Sequence, residues 1–179
     1  MAWSGVSRRT RPSDDAMNGV NFTEADSTHA WHAIDDRIMG GVSRSRLRHD
    51  PAGYAVFEGQ VSPDNGGGFA SVRHAGLSLG VANAVAYRLD VLGDGKRYKL
   101  NLRTDQTLDG VNYQAVFQPL AGHWTTIELP VDAFVATFRG RTVSAPPLAP
   151  ERVSQVGLMI ADRQWGPFTL GLRSLVCVA

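Results

Sequence analysis

Apolar and polar residues alternate with a period of two over most of this chain, the pattern of strands buried on one face. Arg44, Arg46 and Arg48 face one way, and Ser43, Ser45 and Leu47 the other. Residues 54–61 bring Phe57, Gly59 and Val61 to one side, and in 69–73 Phe69 and Ser71 oppose Ala70 and Val72. A longer run sets Val85, Tyr87, Leu89 and Val91 against Ala86, Arg88, Asp90 and Leu92. The cleanest two-sided segment follows, with Tyr98, Leu100 and Leu102 opposed to Lys99, Asn101 and Arg103. Tyr113, Ala115 and Phe117 share a face, 123–130 reads as a further strand, and 152–162 is apolar on both sides, as a central strand is. Residues 168–178 close the chain as another strand. The pattern predicts about eight to ten strands and almost no helix, an all-β jelly-roll sandwich of two antiparallel sheets.

The breaks between runs carry turn chemistry. Gly93-Asp94-Gly95-Lys96 is predicted to be a hairpin with Asp-Gly at its centre. Gly66, Gly67 and Gly68 precede a strand pattern, so the helix N-terminus of a phosphate-binding loop is missing and a tight bulge is expected. Composition agrees: 19 glycines and 9 prolines in 179 residues suit many turns. One domain of this length holds a real core. Residues 1–26 are polar and aperiodic and are expected to form a loose extension, with the single domain spanning 27–179. The basic start has no apolar stretch after it, so neither a signal peptide nor a twin-arginine signal is expected. No run approaches the length of a transmembrane helix, so no membrane insertion is expected. Cys177, the single cysteine, lies in an apolar run and reads as a small buried hydrophobe of a reduced, cytoplasmic protein. The net charge of +1 argues for neither a nucleic-acid nor an acidic-membrane partner.

Residues 31–47 gather Asp35, Asp36, Arg37 and the pair Gly40-Gly41 ahead of the arginine-rich strand. The two acids could serve as an acid and base, or clamp a polar ligand with Arg37. Adjacent acids on a strand point apart, which favours a structural ion pair or turn cap. His29 and His32 lack the company a zinc site needs, and the serines lack a nucleophile elbow. No cofactor motif, metal set or catalytic constellation is present, so no enzyme is expected. The stronger functional candidate is a sheet face: Lys99, Asn101 and Arg103, joined by Asn112 and Gln114 and by Arg88 and Asp90 from the preceding strand. Such a face suits hydroxyl-rich ligands or a polar protein patch. Trp3, Trp31, Trp124 and Trp165 are either stacking platforms or plugs of the core.

Taken in order, these landmarks carry a resemblance. Trp31 followed by Asp35-Asp36-Arg37-Ile38-Met39-Gly40-Gly41-Val42-Ser43, then Phe57-Glu58-Gly59, then the run from Asn65 through Gly68 and Phe69 to Arg73, resembles the complex I intermediate-associated protein 30 family. Gly93-Asp94-Gly95 with Tyr98, Trp124 with Leu129-Pro130, Phe138-Arg139-Gly140, Gly157 through Ile160, and Gly166-Pro167-Phe168 continue it over roughly residues 31–175. The resemblance implies a galactose-binding-like domain and a non-catalytic assembly role; mitochondrial members assemble respiratory complex I. The short chain without a presequence is similar to a compact bacterial member. On this basis the expected function is an accessory protein that binds a protein client. A carbohydrate-binding module using the polar sheet face is the alternative, and an enzyme the second alternative. The candidate binding residues are Asp35, Asp36, Arg37, Asn65, Arg73, Arg88, Lys99, Asn101, Arg103, Gln114 and Trp124. The two glycine bends, 35–43 and 65–73, are expected to meet, with Arg37 or Arg73 pairing Asp35 or Asp36 across them.

Overall fold

The computed structural model describes residues 18–77, 79–104 and 110–179. Its strands are β1 (Gly19–Asn21), β2 (Trp31–Ala33), β3 (Arg44–Asp50), β4 (Tyr54–Val61), β5 (Ala70–Ala75), β6 (Ala86–Leu92) and β7 (Tyr98–Arg103). Then come β8 (Asn112–Phe117), β9 (Trp124–Pro130), β10 (Val135–Phe138), β11 (Arg141–Thr142), β12 (Gln155–Ile160) and β13 (Gly166–Val178). They form two antiparallel sheets, ordered β3-β4-β13-β6-β9 with β1 beside β13, and β11-β10-β8-β7-β12-β5-β2. Short 3-10 turns are the helical elements of the described residues. The fold is an all-β jelly-roll sandwich, with more strands than expected because pieces of two to four residues are too short to show a period.

β13 carries the first sheet. Its first half pairs with β4, its second half with β1, and β6 runs along the other side with a bulge between Leu172 and Ser174. The inner faces meet in one core that includes Phe57, Leu89, Leu100, Leu158 and Leu170, all fully buried. Phe57 and Phe168 lie 4.9 Å apart, and Tyr98 packs against both and against Phe117. The Tyr98 hydroxyl donates to Asp94 at 2.9 Å, and burial, then the Asp94 charge, push its pKa far up, so it stays a donor.

Three expectations change. Residues 93–97 are not a hairpin: β6 and β7 lie in different sheets, and the segment arches between them. Asp94 shapes the arch by accepting from the N–H groups of Lys96 and Thr169 and from Tyr98. Gly93 leaves room for 119–120, since a Cβ there would lie 2.7 Å from Pro119 and 2.9 Å from the Leu120 carbonyl. The strand before the arch, β6, starts one residue later than the pattern suggested, at Ala86, and Val85 is exposed. Finally, the domain begins ahead of Ser27. β1 pairs with β13, Phe22 is fully buried against Trp31, and Phe22 N–H donates to Arg173 O. A three-residue strand and one aromatic ring give no periodic signal, which is why 18–26 read as a tail. The rest of that extension, with Trp3, lies outside the described residues.

Candidate functional site

Asp35 and Asp36 are buried, and each is a hub for donors. Asp35 accepts from Ser45 N at 3.0 Å, Ser45 Oγ at 2.5 Å and Ser71 N at 2.9 Å. Asp36 accepts from Ser43 N at 3.0 Å, Ser43 Oγ at 2.6 Å, Gly68 N at 2.7 Å and Phe69 N at 3.3 Å. Ser71 Oγ in turn donates to Ile34 O. The two glycine bends do meet, but serines and backbone N–H groups hold the carboxylates where arginine pairing was expected. The reason is geometric: the serines and the backbone of the two bends approach the carboxylates closely, most tightly at Asp36. A Cβ on Gly41 would lie 2.3 Å from Asp36 Oδ1, and one on Gly67 2.6 Å from Oδ2. Burial alone would raise the Asp36 pKa; the Ser43 hydroxyl, then the Gly68, Phe69 and Ser43 N–H groups, hold it below the ordinary 3.8. A carboxylate held ionised by four donors, below its ordinary pKa, is a weak base. Arg37 beside it is exposed, and Asn65 is exposed in the glycine bend with φ 56.

The polar sheet face lies on the seven-stranded sheet. Residues opposite one another share a face, so the register assembles it directly. Asn101 lies between Gln114 on β8 and Gly157 on β12, and Gly157 leads to Arg73 on β5 and His32 on β2. Arg103 lies opposite Gln155, Lys99 opposite Met159 and Val116, and Asn112 opposite Thr137. Outward polar residues on a sandwich are normally wet. Here Asn101 is 7%, Arg103 2% and Gln155 3% exposed. Among the described residues, the buried carbonyl oxygens of the Asn101 and Asn112 side chains find no donor. Lys99 pairs with Asp162 at 3.1 Å, and Gln114 Nε2 lies 3.9 Å from the Met159 sulfur. Sequence reasoning missed Gln155, Thr137 and Met159 on this face. Its one signal was a glutamine heading an otherwise apolar strand.

Two predicted members are elsewhere. Because the 93–97 segment crosses between sheets, Arg88 and Asp90 lie on the opposite sheet, away from Lys99, Asn101 and Arg103. Arg88 pairs there with Glu128 at 2.8 Å, both partners about half exposed and worth little. Trp124 is on that sheet too, with the Arg173 guanidinium 3.8 Å over its ring and Tyr54 edge-on at 5.3 Å. Trp31 packs in the core. The open surface depressions flank Arg44, Glu58 and Phe168 on one side and Ile34, Asp35 and Arg37 on the other, and neither coincides with the polar face.

Comparison with known proteins agrees with this architecture. A family 11 carbohydrate-binding module of a cellulosomal cellulase of Clostridium thermocellum is similar at 14% identity and a TM-score of 0.60, over 84% of this chain and 88% of that one. Such a module from Clostridium thermocellum in complex with a β-1,3-1,4-mixed-linked tetrasaccharide is similar at 15% identity and a TM-score of 0.59, over 89% and 96%. A mutant of a family 29 carbohydrate-binding module follows at 11% identity and a TM-score of 0.51, over 89% of each chain. At such identities the likeness establishes the fold alone. No curated protein matches. The model of the family described as complex I intermediate-associated protein 30 matches residues 20–172, from within β1 into β13. The chain therefore belongs to the complex I intermediate-associated protein 30 family.

Proposed function

We propose that this protein is a non-catalytic accessory domain that receives a protein client on the outer face of its seven-stranded sheet, in an assembly role. The observation that carries the reading is the make-up of that face. Amides and cations are held out of water beside Val116 and Val135, which are 54% and 49% exposed. None of the outward strand positions in register across β2, β5, β12, β7, β8 and β10 is Phe, Tyr or Trp. Sugar rings are gripped by stacking on flat aromatic surfaces, whereas a mixed amide and aliphatic surface suits polypeptide. The family's description supports a client among respiratory complex I subunits. The buried, donor-occupied Asp35 and Asp36 support a role without catalysis.

A second reading, carbohydrate binding on the same face, is favoured by the likeness to carbohydrate-binding modules and by the open amide acceptors. Pulldown from native lysate beside a glycan array separates the two. The client reading expects complex I subunits retained by wild type and lost with Gln114→Ala, and a silent array. Array binding that Gln114→Ala abolishes, with no subunit enriched, would overturn it in favour of sugar.

A further inference from the structure

Each sheet of the sandwich ends in two edge strands, and an uncovered edge is a template for pairing with another chain. Three of the four edges are protected. β2 has three residues and β11 two, too short to template a partner. β3 is longer, but Asp35 caps its outward Ser45 N–H at 3.0 Å, and the His49 ring lies 3.1 Å from Thr23 O. β9, the remaining edge, has seven residues, and among the described residues it pairs with β6 alone.

The direction of its free backbone groups follows from the register. Val131 N–H donates to Val85 O at 3.0 Å, one step beyond the Ala86–Pro130 pair. Hydrogen-bonded pairs alternate along an antiparallel ladder. Thr125, Ile127 and Leu129 therefore bond to β6, while Trp124, Thr126 and Glu128 turn their N–H and C=O groups outward. Pro130 falls in the outward set, where its missing N–H costs the sheet nothing. The usual edge protection is missing from 124–129: neither lysine, arginine nor a bulge interrupts it, and Thr125, Thr126 and Ile127 are β-branched. Its one charge, Glu128, is matched within the chain by Arg88 at 2.8 Å.

We propose that β9 pairs with β9 of a second copy of this chain, antiparallel about a two-fold axis at Ile127, joining the two smaller sheets into one. In that register Thr126 faces Glu128 of the second copy, so like charges do not oppose each other. Each outward N–H of Trp124, Thr126 and Glu128 then meets a carbonyl of the other strand. The half-buried Ile127 closes on its own counterpart across the axis. A second copy is the occupant that brings this length, β-branched sequence and register already matched. Pairing consumes the open edge of both copies and leaves the short and capped ones, so growth stops at two. The axis stands perpendicular to the joined sheet, which turns both seven-stranded sheets to the same side. The dimer does not use the polar sheet face, so either assignment can fail alone.

Sedimentation equilibrium of the full chain from about 1 to about 200 µM tests this. Wild type is expected to pass from monomer to dimer across that range, without larger species. Thr126→Pro removes an outward N–H and none of the bonds to β6. It should weaken dimerisation about tenfold or more while leaving the melting temperature of the dilute monomer little changed. Cysteine substitutions read the register. Under mild oxidation Ile127→Cys should give a disulfide-linked dimer, its counterpart lying directly across the axis. Thr126→Cys, which faces Glu128, and wild type, with Cys177 alone, should not. If Thr126→Pro fails to fold, the cysteine pair decides. A wild type that stays monomeric at the highest concentration, or grows past the dimer, would overturn the proposal. So would dimerisation untouched by Thr126→Pro, or an Ile127→Cys chain that crosslinks no faster than Thr126→Cys.

Discussion

Gly40 and Gly41 are neighbours that are glycine for different reasons. Gly40 has φ 88 and open space around its Cβ position, so alanine there costs only the left-handed conformation, about 1 kcal/mol. Gly41 faces the Asp36 carboxylate, which cannot withdraw because Ser43, Gly68 and Phe69 donate to it. Alanine at 41 is expected to cost about 2–3 kcal/mol in urea unfolding; equal costs at the two positions would show that the carboxylate contact does not matter. Asp36→Asn sets an NH2 against those donors and should cost a similar amount. The sign with pH follows from the lowered pKa. The contribution is complete above the ordinary 3.8 and is lost as pH falls through that value toward the lower folded one. The gap between wild type and Asp36→Asn should accordingly close in acid. The clustering of acid and glycine was legible in the sequence, but the partner was not: Ser43 and Gly68 are ordinary residues until the two bends meet.

At the scale of elements, the edge where β2 pairs with β5 is expected to respond to pH. His74 lies on the core side of β5, its ring edge-on to Trp31 at 5.7 Å. Burial lowers its pKa below 6.5, the nearby His32 adds to this, and the Ala75 backbone works the other way. The folded chain therefore prefers neutral His74. Its contribution is intact above 6.5 and fades as pH falls through the lowered value. Melting temperature should drop from pH 7 to pH 5 in wild type, and less in His74→Phe; equal drops would place the response at another histidine. Strand existence was readable here, since Ala70 and Val72 alternate with Ser71 and Arg73. Strand partnership was not. An Asp-Gly turn between two good strands looks the same whether it returns within a sheet or crosses to the other, and Tyr98 reaching Asp94 and Thr169 selects the crossing.

Across the whole molecule, binding and stability are expected to pull against each other on the polar face. Asn101 keeps a buried carbonyl oxygen without a donor, a costly arrangement that an apolar residue of like size relieves. Asn101→Leu should hold or raise the melting temperature while weakening client capture, and a clear loss of stability would show the amide to be structural. Arg103, 2% exposed, belongs to the packing, and its removal should destabilise the fold. No helix of the described residues is long and apolar enough to cross a membrane. The sequence by itself determined the all-β class, most strands, their inward faces and the family, because side-chain alternation is a local consequence of the pleat and landmarks keep their order along the chain. Only the tertiary structure decided which strands share a sheet, hence that Arg88 and Trp124 part from Asn101, and that Asp35 and Asp36 are hubs for serines. Those facts depend on contacts between residues distant in sequence, and long-range pairing leaves no period to read.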